Sequence, residues 1–143
     1  MKHKVMFLVV ILAVFALSLS VSAQEPRTVR VGLSWNQYDV SLVYAWEAYM
    51  RSESVAQGEA AGLNFEWIIN AADGDPARQA ANIEDLLNQG VDLIIARAED
   101  SAAIGSSIRA AQDAGVPFIT FDRASKTTAP TAHVGGDSYA QAL

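Results

Sequence analysis

Residues 90–123 read GVDLIIARAEDSAAIGSSIRAAQDAGVPFITFDR and hold two strand candidates around one helix candidate. Val91 to Ala96 is apolar apart from Asp92, a short continuous run of the kind found inside a sheet covered on both faces. Ser101 to Ala114 carries Ile104, Ile108 and Ala111 at i, i+4 and i+7, which is one stripe of a helix. It ends on Gly115, where a left-handed cap is expected. Val116 to Phe121 is a second buried-looking run, and it stops on an acid and a base, Asp122 and Arg123.

The alternation continues on both sides of this stretch. Val29 to Ser34 is a strand candidate, followed by the polar and aromatic turn Trp35 to Asp39 and a helical stretch to about Ala61. Asn64 to Ile69 is a strand rich in aromatic and β-branched residues. After it, Asp75 is placed to cap a helix with Pro76 at its first position, where the missing N–H costs nothing. Ala80, Ile83 and Leu87 make the apolar stripe of that helix, and Gly90 its stop. His133-Val134-Gly135 is a short fifth strand, and Asp137 would cap a further helix. Near-continuous Val, Ile and Leu strands separated by amphipathic helices predict an α/β fold, a doubly wound parallel sheet with helices on both faces. Ligands of such open sheets bind beyond the carboxyl ends of the strands. That is where Asp122 and Arg123 fall, so their charges need not be buried unpaired.

The chain has 143 residues, 51% of them hydrophobic. Part of that excess is local. Met1 to Ala23 opens on the basic MKHK, continues through an apolar core of about 15 residues, short against the ~20 of a bilayer span, and closes on Val21-Ser22-Ala23. This predicts a signal peptide cleaved after Ala23, export to the periplasm, and no membrane insertion of what remains. Cleavage would remove two of the 10 basic residues and none of the 16 acidic ones. Such a surface repels nucleic acid, whose phosphates need clustered Lys and Arg. With no cysteine, a disulfide framework and a thiolate nucleophile are both excluded. Residues 24–143 are enough for one ordinary domain.

Other chemistry finds little support. Gly32-Leu33-Ser34-Trp35-Asn36 lacks the second glycine of a nucleophile elbow, and only His133 could serve as base. Asp73-Gly74-Asp75 starts like a calcium loop, but no glutamate follows at the required spacing and Pro76 interrupts, so it reads as a turn and helix cap. His133 has no second metal ligand beside it, and no lysine-bearing phosphate loop is present. No catalytic residue, metal or cofactor is expected.

The order of VRVGLS, DGDPARQAANIEDLLNQGVDLIIARAEDSAAIGSSIRAAQDAGVPFITFDR and HVGGDS resembles the amino-terminal lobe of periplasmic sugar-binding proteins of the ribose and galactose type. These share a fold with lac-repressor-like regulators, but the chain opens on an export signal and not on a basic helix-turn-helix. The resemblance implies strand order 2-1-3-4-5, hinge closure of two lobes on a sugar, and delivery to the membrane permease of an ABC importer. It implies that Asp122 and Arg123 make forked hydrogen bonds to sugar hydroxyls; the alternative from the residues themselves is an internal salt bridge or a loop cap. It sets the turn Trp35, Asn36, Tyr38 and Asp39 against the sugar, although the family's Asn-Pro-Phe-Phe pattern is absent and either ring could pack on the lobe rim instead. Arg97 stands where galactose-type receptors often carry asparagine. It would reach the ligand, which would also suit an acidic sugar, or bind Glu99 and Asp100. The chain stops near the point where the first crossing to a second lobe would begin, so a fragment or half receptor is expected. The other readings are a small secreted flavodoxin-like enzyme, or a one-lobed protein-interaction module that no longer binds ligand.

Overall fold

A computed structural model describes residues 25–38 and 41–136. The elements are β1 (Arg27–Trp35), α1 (Ser41–Ala61), β2 (Leu63–Ala71), α2 (Pro76–Asn88), β3 (Leu93–Ala96), α3 (Ile104–Asp113), β4 (Phe118–Phe121) and β5 (Ala132–Val134). The five strands form one sheet in the order β2-β1-β3-β4-β5, parallel throughout. The signal-peptide segment, Asp39 and the helix expected at Asp137 lie outside the described residues.

Two apolar layers sandwich the sheet. Ile83 and Leu86 of α2 and Ile104, Ile108 and Ala111 of α3 close over Ile94, Ala96 and Phe118 on one face. On the other, Val43, Trp46 and Met50 of α1 pack on Leu33, Trp35, Trp67, Ile69, Ile95 and Phe121. The period of two along β1 explains the division, since Val31, Leu33 and Trp35 point one way and Gly32 the other. A Cβ on Gly32 would sit 2.9 Å from Leu86 Cδ1, so its bare backbone is what lets α2 lie close.

The predicted helix punctuation holds. Asp75 Oδ1 accepts from the backbone N–H of Ala77 at 2.8 Å and of Arg78 at 3.3 Å, and Pro76 opens α2. Gly90 and Gly115 take φ of 71° and 72°, left-handed as the stops required.

Two of the helices differ in detail from expectation. The buried stripe of α2 is Gln79, Ile83 and Leu86; Ala80 is exposed and Leu87 half-buried. The helix is turned because Gln79 is pulled inward by backbone partners, donating from Nε2 to the carbonyl of Arg97 at 2.9 Å and accepting at Oε1 from the N–H of Glu99 at 2.8 Å. Regular α3 starts at Ile104, after a turn in which Asp100 Oδ1 takes the N–H groups of Ala102 and Ala103 at 2.8 and 2.7 Å. Those two bonds, Ala103's first, hold the Asp100 carboxyl below its usual range.

Candidate functional site

Parallel strands all end on one edge of the sheet, and the first residue beyond each is set by where pairing stops. Beyond β1 it is Asn36, beyond β3 it is Arg97, and beyond β4 it is Asp122. Because β1, β3 and β4 are neighbours, these three side chains stand in a row, with Arg97 between the others. Arg97 Nε donates to Asp122 Oδ2 at 2.7 Å, and its Nη1 donates to Asn36 Oδ1 at 2.6 Å. The guanidinium also lies over the ring of Trp46, 5.7 Å from its centroid, on the negative face that attracts a cation.

Each member of the row is positioned from behind. Asn36 is buried, and its carbonyl takes the N–H of Gly74 at 3.0 Å, which ties the β2–α2 turn to the end of β1. The main chain of Arg97 donates to the carbonyl of Ser34 at 3.1 Å and accepts from Gln79. Asp122 has φ 61° and sits at the centre of a γ-turn closed by Arg123 N–H on the Phe121 carbonyl at 2.7 Å. A γ-turn with positive φ at its centre is the rarer and more strained form. It re-aims the chain at the end of β4 and leaves the Asp122 side chain 42% exposed, against 17% for Arg97.

The other expected site residues are placed differently. Trp35 has no accessible surface; it stacks on Trp46 with centroids 6.3 Å apart and meets Phe121 edge-on at 5.2 Å. The expectation that its face lies against a ligand is therefore corrected: Trp35 is the last residue of β1, one position too early, and the pleat turns it into the core. Arg97 bonds neither Glu99 nor Asp100 through its side chain, and reaches across two strands instead. Arg123 turns back over the β3–α3 loop, donating from Nη1 to the carbonyls of Ala98 at 3.3 Å and Glu99 at 3.1 Å. Both structural alternatives thus occur, a salt bridge at Asp122 and a loop cap at Arg123. Trp46, unmarked in the sequence because it lies in mid-helix, supplies the half-buried aromatic surface beneath Arg97.

Tyr38 is half-buried and tethered to α1. Its hydroxyl donates to Glu47 Oε2, and Glu47 Oε1 takes Arg51 Nε at 2.9 Å. The bond to Glu47, followed by burial, pushes the phenol up to about 12. Because the raised value favours the protonated form, this contact stabilises the fold fully below pH 10 and is lost as pH rises towards 12. In an alkaline absorbance titration, one tyrosine should ionise well after the others, and Tyr38→Phe should remove that late step. Co-titration of every tyrosine near pH 10 would contradict the tether.

Thr120 Oγ1 and His133 Nδ1 lie 3.0 Å apart, a separation that a nucleophile and its base could share. They are a registered cross-strand pair, and Thr120 is 0% exposed, so no substrate can reach its hydroxyl. Among the described residues, no group of three or more His, Asp or Glu could hold a metal ion. A groove of about 390 Å³ lies between α1 and β2, lined by Arg51, Val55, Glu59, Phe65 and Trp67. It is remote from the row, and no set of strand ends converges on it, so the chemistry favours the open rim at Asn36, Arg97 and Asp122.

Residues 41–143 match the family described as periplasmic binding protein domain. The chain belongs to that family. It is 29% identical over 125 residues to the ribose import binding protein of Haemophilus influenzae, covering 87% of this chain and 39% of that one. Over 83 residues it is 30% identical to the ribose import binding protein of Escherichia coli, covering 58% of this chain and 28% of the relative. A carbohydrate transporter solute binding protein from Chloroflexus aurantiacus, solved in complex with D-glucose, superposes with a TM-score of 0.67 at 25% identity, over 80% of this chain and 32% of the other. The Caulobacter myo-inositol binding protein shares the fold, with a TM-score of 0.61. The chain therefore spans well under half the length of these relatives.

Proposed function

We propose that this chain is the amino-terminal lobe of a solute-binding subunit of an ABC importer, exported to the periplasm and presenting one wall of a sugar site. The observation that carries the reading is the row of Asn36, Arg97 and Asp122 on three adjacent strand ends, beside Trp46, in a chain similar to a solute binding protein solved with D-glucose and to ribose import binding proteins. An amide, a guanidinium and a carboxylate, joined side by side by bonds of 2.6 and 2.7 Å, set donors next to acceptors, which suits ring hydroxyls because each of them both donates and accepts. Relatives of the chain are binding proteins, and binding by closure of two walls is the mechanism proposed, with a permease recognising the closed form.

One wall alone leaves polar groups hydrated and covers one face of the ring. Binding by the chain itself should then be no tighter than about millimolar, or about −4 kcal/mol. An NMR titration with pentoses, hexoses and sugar acids should move the signals of Asn36, Trp46, Arg97 and Asp122 together at millimolar sugar. Shifts confined to the α1–β2 groove, or none at all, would remove the reading. Amino-terminal sequencing of exported material should begin at Gln24; protein found in the membrane with Met1 intact would refute the cleavage.

A further inference from the structure

We infer that the free edge of β2 is a dimerisation surface, on which a second copy of this chain adds its own β2 antiparallel, about a two-fold axis at Trp67. The inference is independent of the sugar-binding reading.

β2 is the outermost strand, and none of its residues is buried, whereas the last five of β1 beside it all are. Hydrogen-bond parity shows which of its main-chain groups are unused. Arg27 N–H donates to the carbonyl of Gly62 at 3.0 Å and Ala72 N–H to that of Trp35 at 2.9 Å, so even-numbered residues of this segment turn towards β1 and odd-numbered ones outwards. Both ends of the outward row are covered. A Cβ on Gly58 of α1 would stand only 2.7 Å from the Leu63 carbonyl oxygen, and the Ala71 carbonyl takes Asn82 Nδ2 at 3.0 Å. Between them, Phe65, Trp67 and Ile69 present N–H and C=O groups without a partner among the described residues. Such a row, with neither proline nor lysine in the strand to guard it, is a template for another strand.

The strand that fits is β2 itself. A two-fold axis normal to the sheet pairs it antiparallel with its copy and closes the contact at two chains. Registers differ only in where the axis falls. At Glu66 it would set that carboxylate directly against its copy, like charge on like charge at the closer cross-strand spacing. At Ile68 it would bring Phe65 against the covered Ala71. At Trp67 the open stretch meets itself whole: Trp67 opposes Trp67 and Phe65 opposes Ile69, exchanging their main-chain bonds, while Glu66 opposes Ile68 and Asn64 opposes Asn70. Aromatic and β-branched pairs of this kind stabilise antiparallel ladders. The same axis keeps both α1 helices on one face, so the groove of about 390 Å³ lined by Val55, Phe65 and Trp67 abuts its copy, and Val55, 61% exposed, faces apolar surface. The opposite edge offers no rival, since β5 has only three residues.

Sedimentation of the chain at low salt should show a monomer–dimer equilibrium with a micromolar Kd. Ile68→Glu places a carboxylate opposite Glu66 of the other copy and should weaken dimerisation at least tenfold. Ile68→Lys loses the same apolar side chain but places an ammonium there, and should dimerise as tightly as the unaltered chain or more so. The absence of cysteine lets a disulfide report the register. Asn64→Cys/Asn70→Cys should form a covalent dimer on mild oxidation, and neither single variant should, because 64 opposes 70 and lies far from its own copy. These two positions lie outside the apolar core, so the cross-link decides the matter should both exchanges at Ile68 destabilise the fold. A chain that stays monomeric at millimolar concentration, a dimer equally tight with Glu and Lys at 68, a double variant that does not cross-link, or a single variant that does, would each overturn the inference.

Discussion

Trp35→Ala is expected to cost about 3–5 kcal/mol of folding stability, the range for truncating a fully buried aromatic, and to leave a large share of the chain unfolded at room temperature. The indole fills the centre of the α1 face, sandwiched between Trp46 and Phe121, and neither neighbour can move into the space without breaking its own contact with the other. Trp35→Phe should be far milder. It keeps most of the buried area and deletes an indole N–H that is buried without an acceptor among the described residues, so part of the packing loss is offset. Urea unfolding followed by tyrosine and tryptophan fluorescence reads both values. If Trp35→Ala were near neutral in stability yet abolished sugar-dependent shifts, Trp35 would be a ligand contact after all.

The second large effect falls on binding. Asp122→Gly should weaken sugar binding tenfold to a hundredfold, about 1.4 to 2.8 kcal/mol, in a two-lobed form made by joining the chain to a second lobe. Its folding stability should stay about level, relief of the positive φ offsetting the lost ion pair with Arg97. The two outcomes separate because Asp122 holds a φ of 61°, a conformation costing an ordinary L-residue about 1–2 kcal/mol and glycine almost nothing. Asp122→Ala would confuse them, since alanine removes the carboxylate and keeps the strain. A carboxylate retained in a backbone that disfavours it is a sign of use. Calorimetric titration together with thermal melts decides the matter: unchanged affinity in Asp122→Gly, or a melting temperature lowered as far as in Asp122→Ala, would assign the residue to the lobe's own structure.

The sheet was readable from the sequence because its signals are local and redundant. Continuous Val and Ile runs, glycine stops at Gly90 and Gly115, and the Asp75-Pro76 start each point to the same crossover units. Strand limits were less readable. Val91 and Asp92 look like part of β3, but Asp92 pairs with Arg30 by one main-chain and one side-chain bond, the N–H of Asp92 on the Arg30 carbonyl and Arg30 N–H on Asp92 Oδ2, each at 2.8 Å. The same uncertainty of one residue decided the site. Asn36, Arg97 and Asp122 were all candidates, but their joining by Arg97 depends on which strands are neighbours. Trp35 was assigned to the wrong side of the strand end because the last pleat of β1 cannot be counted without its partner. Gln79 and Trp46 carried no signal, since a buried glutamine and a mid-helix tryptophan look like a solvated residue and a core residue until the carbonyls and the cation beside them are seen.

The three row residues lie just past the ladder, each bonded to the next through side-chain atoms, while the apolar layers begin one position earlier. On the function proposed above, ligand preference and foldability are encoded at adjacent but separate positions. On that reading, exchanges at 97 and 122 retune what the rim accepts while Leu33, Ile95 and Phe118 go on specifying the same sheet. In such an arrangement a lineage can drift among solutes by single steps, without passing through an intermediate that fails to fold.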